Sequence, residues 1–484
     1  MNLKDQLRLV RRVLSLVGAV AGLVAAVGLL NSVMQHGIQS TQIGEWSAPY
    51  GITIVSDLFS AIMVLLTAAM GLVVVVYSLA CMDAKREEFG YFPLLHFLLM
   101  GISGAFLTGD IFNLYVWFEV LLISSFVLLA LGGDRAQIEG TLKYVALNLL
   151  SSSFFLVAIG LLYGLVGTLN MADLSVQLKG FEPQGVVITL STLFMVAFGI
   201  KAALFPVFFW LPASYHTPPA AVSAIFAGLL TKVGIYALIR VFTLLFVQDT
   251  GYTHTIILVV AGLTMVVGIL GAVAQYDFRR ILSFNLVSHV GYIVMGLGLF
   301  SPLALAGSIF YIIHDVVVKT NLFLVSGVIY RITGSYSIRK MGGLYLSRPF
   351  VAILFFVPAM SLSGIPPFSG FWPKLALLRA GLQAEQYWIV FAALFASLFT
   401  LYTMTRIWAE IFWKDIPDDD LEASASLETE PQNWLVSLIP VVSLVLLVII
   451  IGIAADPIFD VAQQAAEQLL NPDDYIKTVL GDKA

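Results

Sequence analysis

Long apolar runs follow one another along almost the whole chain. About 20 predominantly apolar residues are enough to cross a bilayer as a helix. Thirteen runs satisfy this criterion, at about 12–32, 53–81, 92–109, 110–131, 142–167, 186–212, 218–246, 253–273, 280–300, 303–330, 347–382, 386–413 and 433–456. The pattern therefore predicts an all-α polytopic membrane protein with about thirteen transmembrane helices.

Composition supports a lipid environment. Of the 484 residues 59% are hydrophobic and 11% are charged, whereas soluble domains are about 25% charged. A lone cysteine, Cys81, excludes an intrachain disulfide, and the six scattered histidines form no metal-site spacing. Dinucleotide, phosphate-loop and nucleophile-elbow motifs are absent from the sequence. We therefore expect no metal, no cofactor, no nucleic-acid partner and no enzymatic chemistry.

The distribution of Lys and Arg predicts the orientation. With the N-terminus in the cytoplasm, sixteen of the 25 basic residues fall on the cytoplasmic side, five fall outside and four lie within spans. Cytoplasmic loops of membrane proteins carry this excess of positive charge. The count predicts a multi-pass protein of the bacterial inner membrane, with the N-terminus cytoplasmic and the C-terminus outside.

Two spans contain prolines in their interior. The sixth carries Pro206 and Pro212, and the eleventh carries Pro366, Pro367 and Pro373. Proline removes an amide donor and clashes with the preceding turn, so both helices should break. Each is the fourth span of a block of five, and an odd number of spans inverts the second block relative to the first. Inverted repeats with matching broken helices are typical of transporters, although two unrelated proline kinks would also fit.

The repeats suggest four regions. Residues 1–91 hold the N-terminal transmembrane helices, 92–246 the first five-helix repeat and 253–414 the second, inverted one. Residues 415–484 hold an acidic loop, the last transmembrane helix and a C-terminal tail. Each repeat would form one half-channel.

Four lysines lie well inside spans. They are Lys201, Lys232, Lys319 and Lys374, and two of them flank the proline breaks. An ionised lysine in mid-bilayer costs about 2.5–3.5 kcal/mol on insertion scales, so it should be absent unless it is used or paired. Snorkelling to the interface explains Arg240 and Arg379 near span ends, but it does not explain these lysines.

A lone carboxylate lies within the fourth span. Glu119 has no basic residue within one turn, so it requires a cation from another helix, and Lys201 is the candidate. Burial weakens an ammonium group's hold on its proton, and a nearby carboxylate strengthens it. Movement of Glu119 relative to Lys201 would then gate a proton. Asp57 and Asp110 stand at span starts and fit helix caps better.

The tenth span contains a second set of titratable residues. Asp315 and Lys319 are four residues apart, so they share a helix face and can pair, either structurally or as a relay. His314 points elsewhere, and His289 on the ninth span is either a relay or a hydrogen-bonded core histidine.

Five stretches resemble one family of membrane proteins. They are GAFLTGDIFNLYVWFEV (104–120), GTLNMADL (167–174), LTKVGIYA (230–237), ITGSYSIRKMGGL (332–344) and SGIPPFSGF (363–371). Together they resemble the antiporter-like subunits of respiratory complex I and of Mrp-type cation/proton antiporters, and most of all the D-type Mrp subunits. The resemblance covers nearly the whole chain.

The resemblance implies roles for the buried charges. Glu119 and Lys201 would be the gating pair, Lys232 the bridge to the second half-channel, Lys319 the next relay and Lys374 the terminal lysine. Two features depart from the family pattern. The chain has thirteen spans where members usually have fourteen core helices, and Asp315 stands where relatives often carry histidine.

Three functions follow from these observations. The first is a proton-translocating subunit of a sodium/proton antiporter complex, which requires other membrane subunits as partners. The alternative is a proton-pumping membrane subunit of complex I or of a membrane-bound hydrogenase. A self-sufficient solute carrier would need a polar substrate pocket, which these spans do not suggest. The spans contain no cluster of oxygen ligands for a hard cation, which favours protons over sodium as the ion inside this chain.

Overall fold

A computed structural model describes residues 3–181, 184–415 and 434–481. In the N-terminal half the helices are α1 (Leu3–His36), α2 (Leu58–Cys81), α3 (Ala84–Glu88), α4 (Tyr91–Leu107), α5 (Ile111–Ala130), α6 (Arg135–Val166), α7 (Met171–Leu178), α8 (Gln184–Ala202), α9 (Trp210–Ser214), α10 (Ala220–Ile225) and α11 (Thr231–Leu244). In the C-terminal half they are α12 (Thr250–Val273), α13 (Phe278–Leu299), α14 (Pro302–Thr333), α15 (Leu344–Ser347), α16 (Pro349–Ser363), α17 (Phe371–Gln383), α18 (Tyr387–Trp408), α19 (Trp434–Ile453), α20 (Ala455–Leu470) and α21 (Asp473–Leu480).

The long helices agree with the predicted spans. Within the described residues, eleven helices are long and apolar enough to cross a membrane. Two shorter apolar helices, α4 and α16, account for the other two predicted spans. The acidic loop predicted after residue 415 lies almost entirely outside the described residues.

Both proline-containing spans are broken. The first divides into α8 and α9, and the second into α16 and α17. Pro206, Pro366 and Pro367 lie in the non-helical breaks, as predicted. Pro373 does not: it lies in the first turn of α17, where amide groups have no intrahelical acceptor and a proline therefore loses no hydrogen bond.

A pair of backbone bridges shows the internal repeat. At the start of α5, Ile111 N donates to Leu169 O (2.9 Å) and Met171 N donates to Gly109 O (2.8 Å). At the start of α13, Phe278 N donates to Tyr336 O (2.8 Å) and Ile338 N donates to Tyr276 O (3.0 Å). Because α13 is the fifth span after α5, the two helices run in opposite directions and the same bridge recurs on opposite faces of the bundle. The two blocks of helices are therefore inverted repeats.

The most buried helices form the centre of the bundle. The apolar window of the α10–α11 span is 100% buried, and those of α13 and α14 are 89% and 94% buried, against 17% for α1. Polar side chains on these central helices therefore face protein. This burial satisfies the requirement that charged groups at membrane depth be shielded from lipid.

The peripheral helix α1 is attached by polar contacts. Arg8 and Arg12 both bind Glu87 of α3, at 2.8 and 2.5 Å, and Ser15 Oγ lies 2.8 Å from His96 Nε2. Burial alone would raise the pKa of Glu87, but the hydrogen bonds from the two arginines outweigh it and hold the pKa below its usual range. The carboxylate therefore stays ionised and holds the start of α1 in place.

The face at which α2 begins is covered by a hairpin and the C-terminal helices. Strands β1 (Gln39–Gln42) and β2 (Thr53–Ser56) pair antiparallel, with Gln39 opposite Ser56. Helix α20 packs against α14, and its Gln468 Oε1 accepts a hydrogen bond from Leu58 N (3.1 Å). The sequence predicted only a tail here, because α20 and α21 are amphipathic and too short to register as spans.

Candidate functional site: buried lysines along the centre of the bundle

Lys201 lies at the broken end of α8. Its Nζ donates to Ser152 Oγ of α6 (3.2 Å) and lies 4.9 Å from the centre of the Phe118 ring. The carbonyl of Ile200, at the last turn before the break, accepts from Ala203 N (3.1 Å) and from Trp210 Nε1 (3.0 Å). The Ile200 carbonyl at the break is therefore hydrogen-bonded. The break holds Lys201 in the protein interior, where only 5% of the residue is exposed.

Glu119 lies near Lys201 without forming an ion pair. The two side chains are not within 4.0 Å of each other, and Glu119 Oε1 has no hydrogen-bond partner in the described part of the chain. Glu119 still acts on Lys201 electrostatically. The predicted contact is therefore wrong in this structure: the serine of α6, which the sequence did not single out, occupies the hydrogen-bonding position at the ammonium group.

Lys232 forms a fully buried ion pair. Its Nζ lies 2.6 Å from Asp315 Oδ2, and both side chains are 0% exposed. The ammonium also donates to Ala227 O (3.0 Å). Ala227 belongs to a π-helical turn at Phe226–Leu230, a local irregularity that often marks functional positions. The turn supplies a carbonyl that helps to replace the water around the ammonium.

This ion pair corrects the expected pairing of Asp315 with Lys319. Lys319 Nζ instead donates to Asn285 Oδ1 of α13. Helix α14 packs against α13 on one side and against α10 and the π-helical turn before α11 on the other, so Asp315 and Lys319 each contact a different neighbour although they share a helix face. Spacing along one helix could not decide which neighbouring helix would supply the partner.

His289 continues the polar contacts from Asp315. Its Nδ1 lies 3.4 Å from Asp315 Oδ1 and 2.8 Å from the Tyr311 hydroxyl, while Nε2 has no partner among the described residues. Tyr311 stacks on Tyr292, with ring centres 5.3 Å apart and planes at 7°. The imidazole therefore joins the central ion pair to an aromatic pair.

Lys374 stands at the far end of this series, beside the second helix break. Its Nζ donates to Leu362 O (2.9 Å) and Ser397 Oγ (3.0 Å), and it lies 5.2 Å from the centre of the Tyr292 ring. The Leu362 carbonyl is available because α16 ends at the break. Gly364 makes room for the lysine: its φ is +84°, and a Cβ there would lie 2.8 Å from Lys374 Cδ.

His314 points away from the ion pair, into the second break. Its Nδ1 lies 2.9 Å from Ser369 Oγ, which in turn lies 2.9 Å from Ser361 Oγ. Ser361 also accepts from Gly370 N (3.2 Å). These contacts hold the two sides of the break together and indicate a positioning role for His314, and its role as a relay stays a prediction.

The structure contains a second buried ion pair that the sequence did not predict. Arg240 Nη1 lies 2.6 Å from Asp57 Oδ2, and Arg240 Nη2 donates to the Tyr236 hydroxyl (3.0 Å). Asp57 also caps α2, as expected, by accepting from Ser60 N (2.9 Å). The prediction that Arg240 snorkels to the interface is therefore wrong, because its guanidinium is buried against Asp57.

The site as a whole is a series of groups that can hold or pass protons. Contacts connect Lys232, Asp315, His289, Tyr311, Tyr292 and Lys374 in that order through α11, α13, α14 and α17. Gly234 lets α11 pack closely against the end of α8, since a Cβ on Gly234 would lie 2.9 Å from the Lys201 carbonyl carbon. Within the described residues no three His, Cys, Asp or Glu side chains converge as metal ligands do. The fold and this series of groups define a polytopic ion-transport protein.

Comparison with known proteins also indicates an ion-transport protein. A profile of the family described as NADH:quinone oxidoreductase/Mrp antiporter, transmembrane, matches residues 108–400, and the chain belongs to this family. It is 47% identical to the D-type subunit of the Na(+)/H(+) antiporter of Alkalihalophilus pseudofirmus over 97% of the chain and 94% of that protein. The corresponding antiporter protein of Bacillus subtilis, also of the D type, is 41% identical over 97% and 94%. A chain in the structure of the Mrp complex from Dietzia superposes with a TM-score of 0.90 at 32% identity, over 98% of this chain and 95% of that one.

Proposed function

We propose that this chain is the proton-translocating D-type subunit of an Mrp-type sodium/proton antiporter complex. The observation that carries the proposal is the continuous series of contacts from Lys232 to Lys374 in the most buried part of the bundle. Ionised groups are expensive at this depth, and their clustering marks ion pathways and proton relays. The path comprises Glu119, Lys201, Lys232, His289, His314, Asp315, Lys319 and Lys374.

Competition for Asp315 explains how a proton could advance. Asp315 is the one carboxylate in the series after Glu119, and it neutralises Lys232. A proton that arrives at Lys319 creates a second ammonium that Asp315 also attracts. Two buried ammonium groups cannot both be compensated by one carboxylate, so one must release its proton. The released proton moves toward Lys374, with His289 and the Tyr311 hydroxyl as the first hydrogen-bonded groups on the way, or back toward Lys201.

The two repeats act as half-channels in this proposal. Residues 92–246 hold Glu119, Lys201 and Lys232, and residues 253–414 hold the other members of the path. Regions 1–91 and 415–484 flank them. The chain moves ions without redox chemistry of its own, and it works with other membrane subunits. Protons pass through it, and passage of sodium through the same chain is the alternative.

We infer a bacterial inner-membrane location, with the N-terminus cytoplasmic and the C-terminus outside. The excess of Lys and Arg on one side of the spans supports this orientation. In a Cys81→Ser background, Lys477→Cys should react with a membrane-impermeant thiol reagent added to intact cells. Labelling only after lysis would contradict the orientation.

Copurification separates this function from the alternative. The tagged chain, isolated from native membranes, should retain small membrane subunits and exchange sodium for protons in liposomes. The chain alone should not exchange them. Recovery of redox subunits would favour the proton-pumping role in a respiratory complex, and robust antiport by the chain alone would revive the self-sufficient carrier.

A further inference from the structure

A cavity opens on the face that carries the basic loops, about three helical turns along α14 from the central ion pair. It has a volume of about 240 Å³ and lies between α2, the start of α10 and the end of α14. Its lining includes Tyr77, Cys81, Ala220, Gly327, Arg331 and Tyr336. The bottom is formed where α10 and α14 approach closely, since a Cβ at Gly327 would lie 2.5 Å from both Ala220 Cβ and the Tyr77 hydroxyl.

One polar side chain of α14 lies along the helix between the cavity and the ion pair. Two turns deeper on α14, Thr320 faces Gly228 so closely that a Cβ on the glycine would collide with Thr320 Oγ1. Thr320 is 0% exposed, and its hydroxyl has no partner among the described residues. Gly228 lies one turn before Lys232, and Thr320 lies five residues after Asp315. The hydroxyl therefore stands between the cavity and the Lys232–Asp315 pair.

An unpaired hydroxyl at this depth needs an explanation. Leaving a buried donor or acceptor unsatisfied costs about 1–3 kcal/mol, so such groups usually bind water or act in a mechanism. The amide of Asn321 and the hydroxyl of Thr231, also fully buried, likewise lack partners in the described part of the chain. Thr231, Thr320 and Asn321 lie within six residues of Lys232 or Asp315 along the chain, and unpaired polar groups of this kind are the partners that a buried water requires.

On the other side of Lys232, the C-terminal part of α11 offers no path for a proton. Two turns beyond Lys232, Arg240 is fixed by Asp57 at 2.6 Å, and the ring centre of Tyr475 from α21 lies 5.4 Å from the guanidinium. The Tyr236 hydroxyl between them donates to Phe106 O (2.7 Å). A permanent positive charge and two aromatic rings therefore block movement of a proton along α11 in that direction.

We propose that the cavity is a separate proton inlet, through which protons from the basic-loop face reach Lys232 and Asp315 by way of Thr320. The inlet bypasses Glu119 and Lys201. It rests on the proposed function, because it supplies the same series of proton carriers. Proton delivery to Lys232 and Asp315 through this inlet would then depend on Tyr77 and Gly327, where the cavity narrows. Glu119 would control the separate route through Lys201.

Accessibility tests the inlet directly in the assembled complex. In a Cys81→Ser background, Thr320→Cys is nearly isosteric, and Leu322→Cys, at the same depth on the opposite side of α14, is its matched control. A small hydrophilic methanethiosulfonate added to the basic-loop face of membrane vesicles should label Thr320→Cys faster than Leu322→Cys. Equal rates, or labelling only from the opposite face, would overturn the proposal.

Transport gives an independent readout. Thr320→Val keeps the shape and removes the hydroxyl, so antiport should fall about tenfold, as expected when the one hydrogen bond from Thr320 to a proton-carrying water is lost from a rate-limiting path. Thr320→Ser should restore it. N-ethylmaleimide should also slow antiport in the wild type and not in Cys81→Ser, because the adduct fills the cavity. Full antiport in Thr320→Val, with Lys374 variants inactive, would reject the inlet and leave the proposed function standing.

Discussion

The two buried ion pairs make a matched test of which charges move and which only stabilise. Both have a closest N–O distance of 2.6 Å and are almost fully buried, but only Lys232–Asp315 belongs to the proposed path. We compare Lys232→Met, Asp315→Asn and their double variant with Arg240→Met, Asp57→Asn and their double variant. In each pair the substitutions remove charge and nearly conserve size.

Burial sets the expected loss of stability. Removing one partner of a buried pair leaves an uncompensated charge and costs about 3–5 kcal/mol. Each single variant should therefore lower the temperature at which the purified complex dissociates. Each double variant should recover most of the loss, because no unpaired charge remains. Asn at position 57 can still cap α2, so the loss of about 1 kcal/mol that follows removal of a cap is avoided.

Transport should separate the pairs. Sodium-driven proton movement in inverted vesicles should return in the Asp57/Arg240 double variant and stay absent in the Lys232/Asp315 double variant, which lacks its proton carrier. Complex yield, measured in the same vesicles, corrects for assembly. Wild-type antiport in the Lys232/Asp315 double variant would refute the reasoning, since it would show that this pair is purely structural.

Two further predictions concern the ends of the path. Glu119→Gln should slow antiport without a measurable loss of complex stability. Glu119 makes no ion pair with Lys201, so the substitution removes only an electrostatic influence, and a stability loss as large as that of Asp315→Asn would contradict this geometry. Gly364→Ala should lower stability by about 1–2 kcal/mol, the cost of a left-handed conformation for a residue with a Cβ. It should also displace Lys374 and reduce antiport. The control Gly160→Ala should change neither stability nor antiport, because no atom lies within 4 Å of the added Cβ.

Much of the fold could be predicted from the sequence because a bilayer imposes a length on every apolar helix. The thirteen spans and the two proline breaks follow from that constraint and from the missing amide donors at Pro206, Pro366 and Pro367. Helices α20 and α21 could not be found in this way. Their stability comes from an apolar face packed on the protein, such as Ala462 and Leu469, and not from overall hydropathy.

The charged residues of the candidate site could be found from their cost, but their partners could not. Lys201, Lys232, Lys319 and Lys374 stand out because lysine is rare at membrane depth. Which acceptor each one meets depends on how neighbouring helices are rotated and spaced, as the contacts of Asp315 with Lys232 and of Lys319 with Asn285 show. Serine and asparagine are also common in helices without a role, so Ser152, Asn285 and Ser397 gave no distinct signal.

Sodium/proton antiport by the complex after substitution of Lys374 tests the central claim most directly. Arg379 lies five residues further along α17 with an exposed side chain, so Arg379→Ala is a matched loss of one basic residue from the same helix. In vesicles with equal amounts of assembled complex, Lys374→Ala should abolish sodium-driven proton movement, and Arg379→Ala should retain it. Full activity of Lys374→Ala would show that protons do not pass along the buried lysines of this chain.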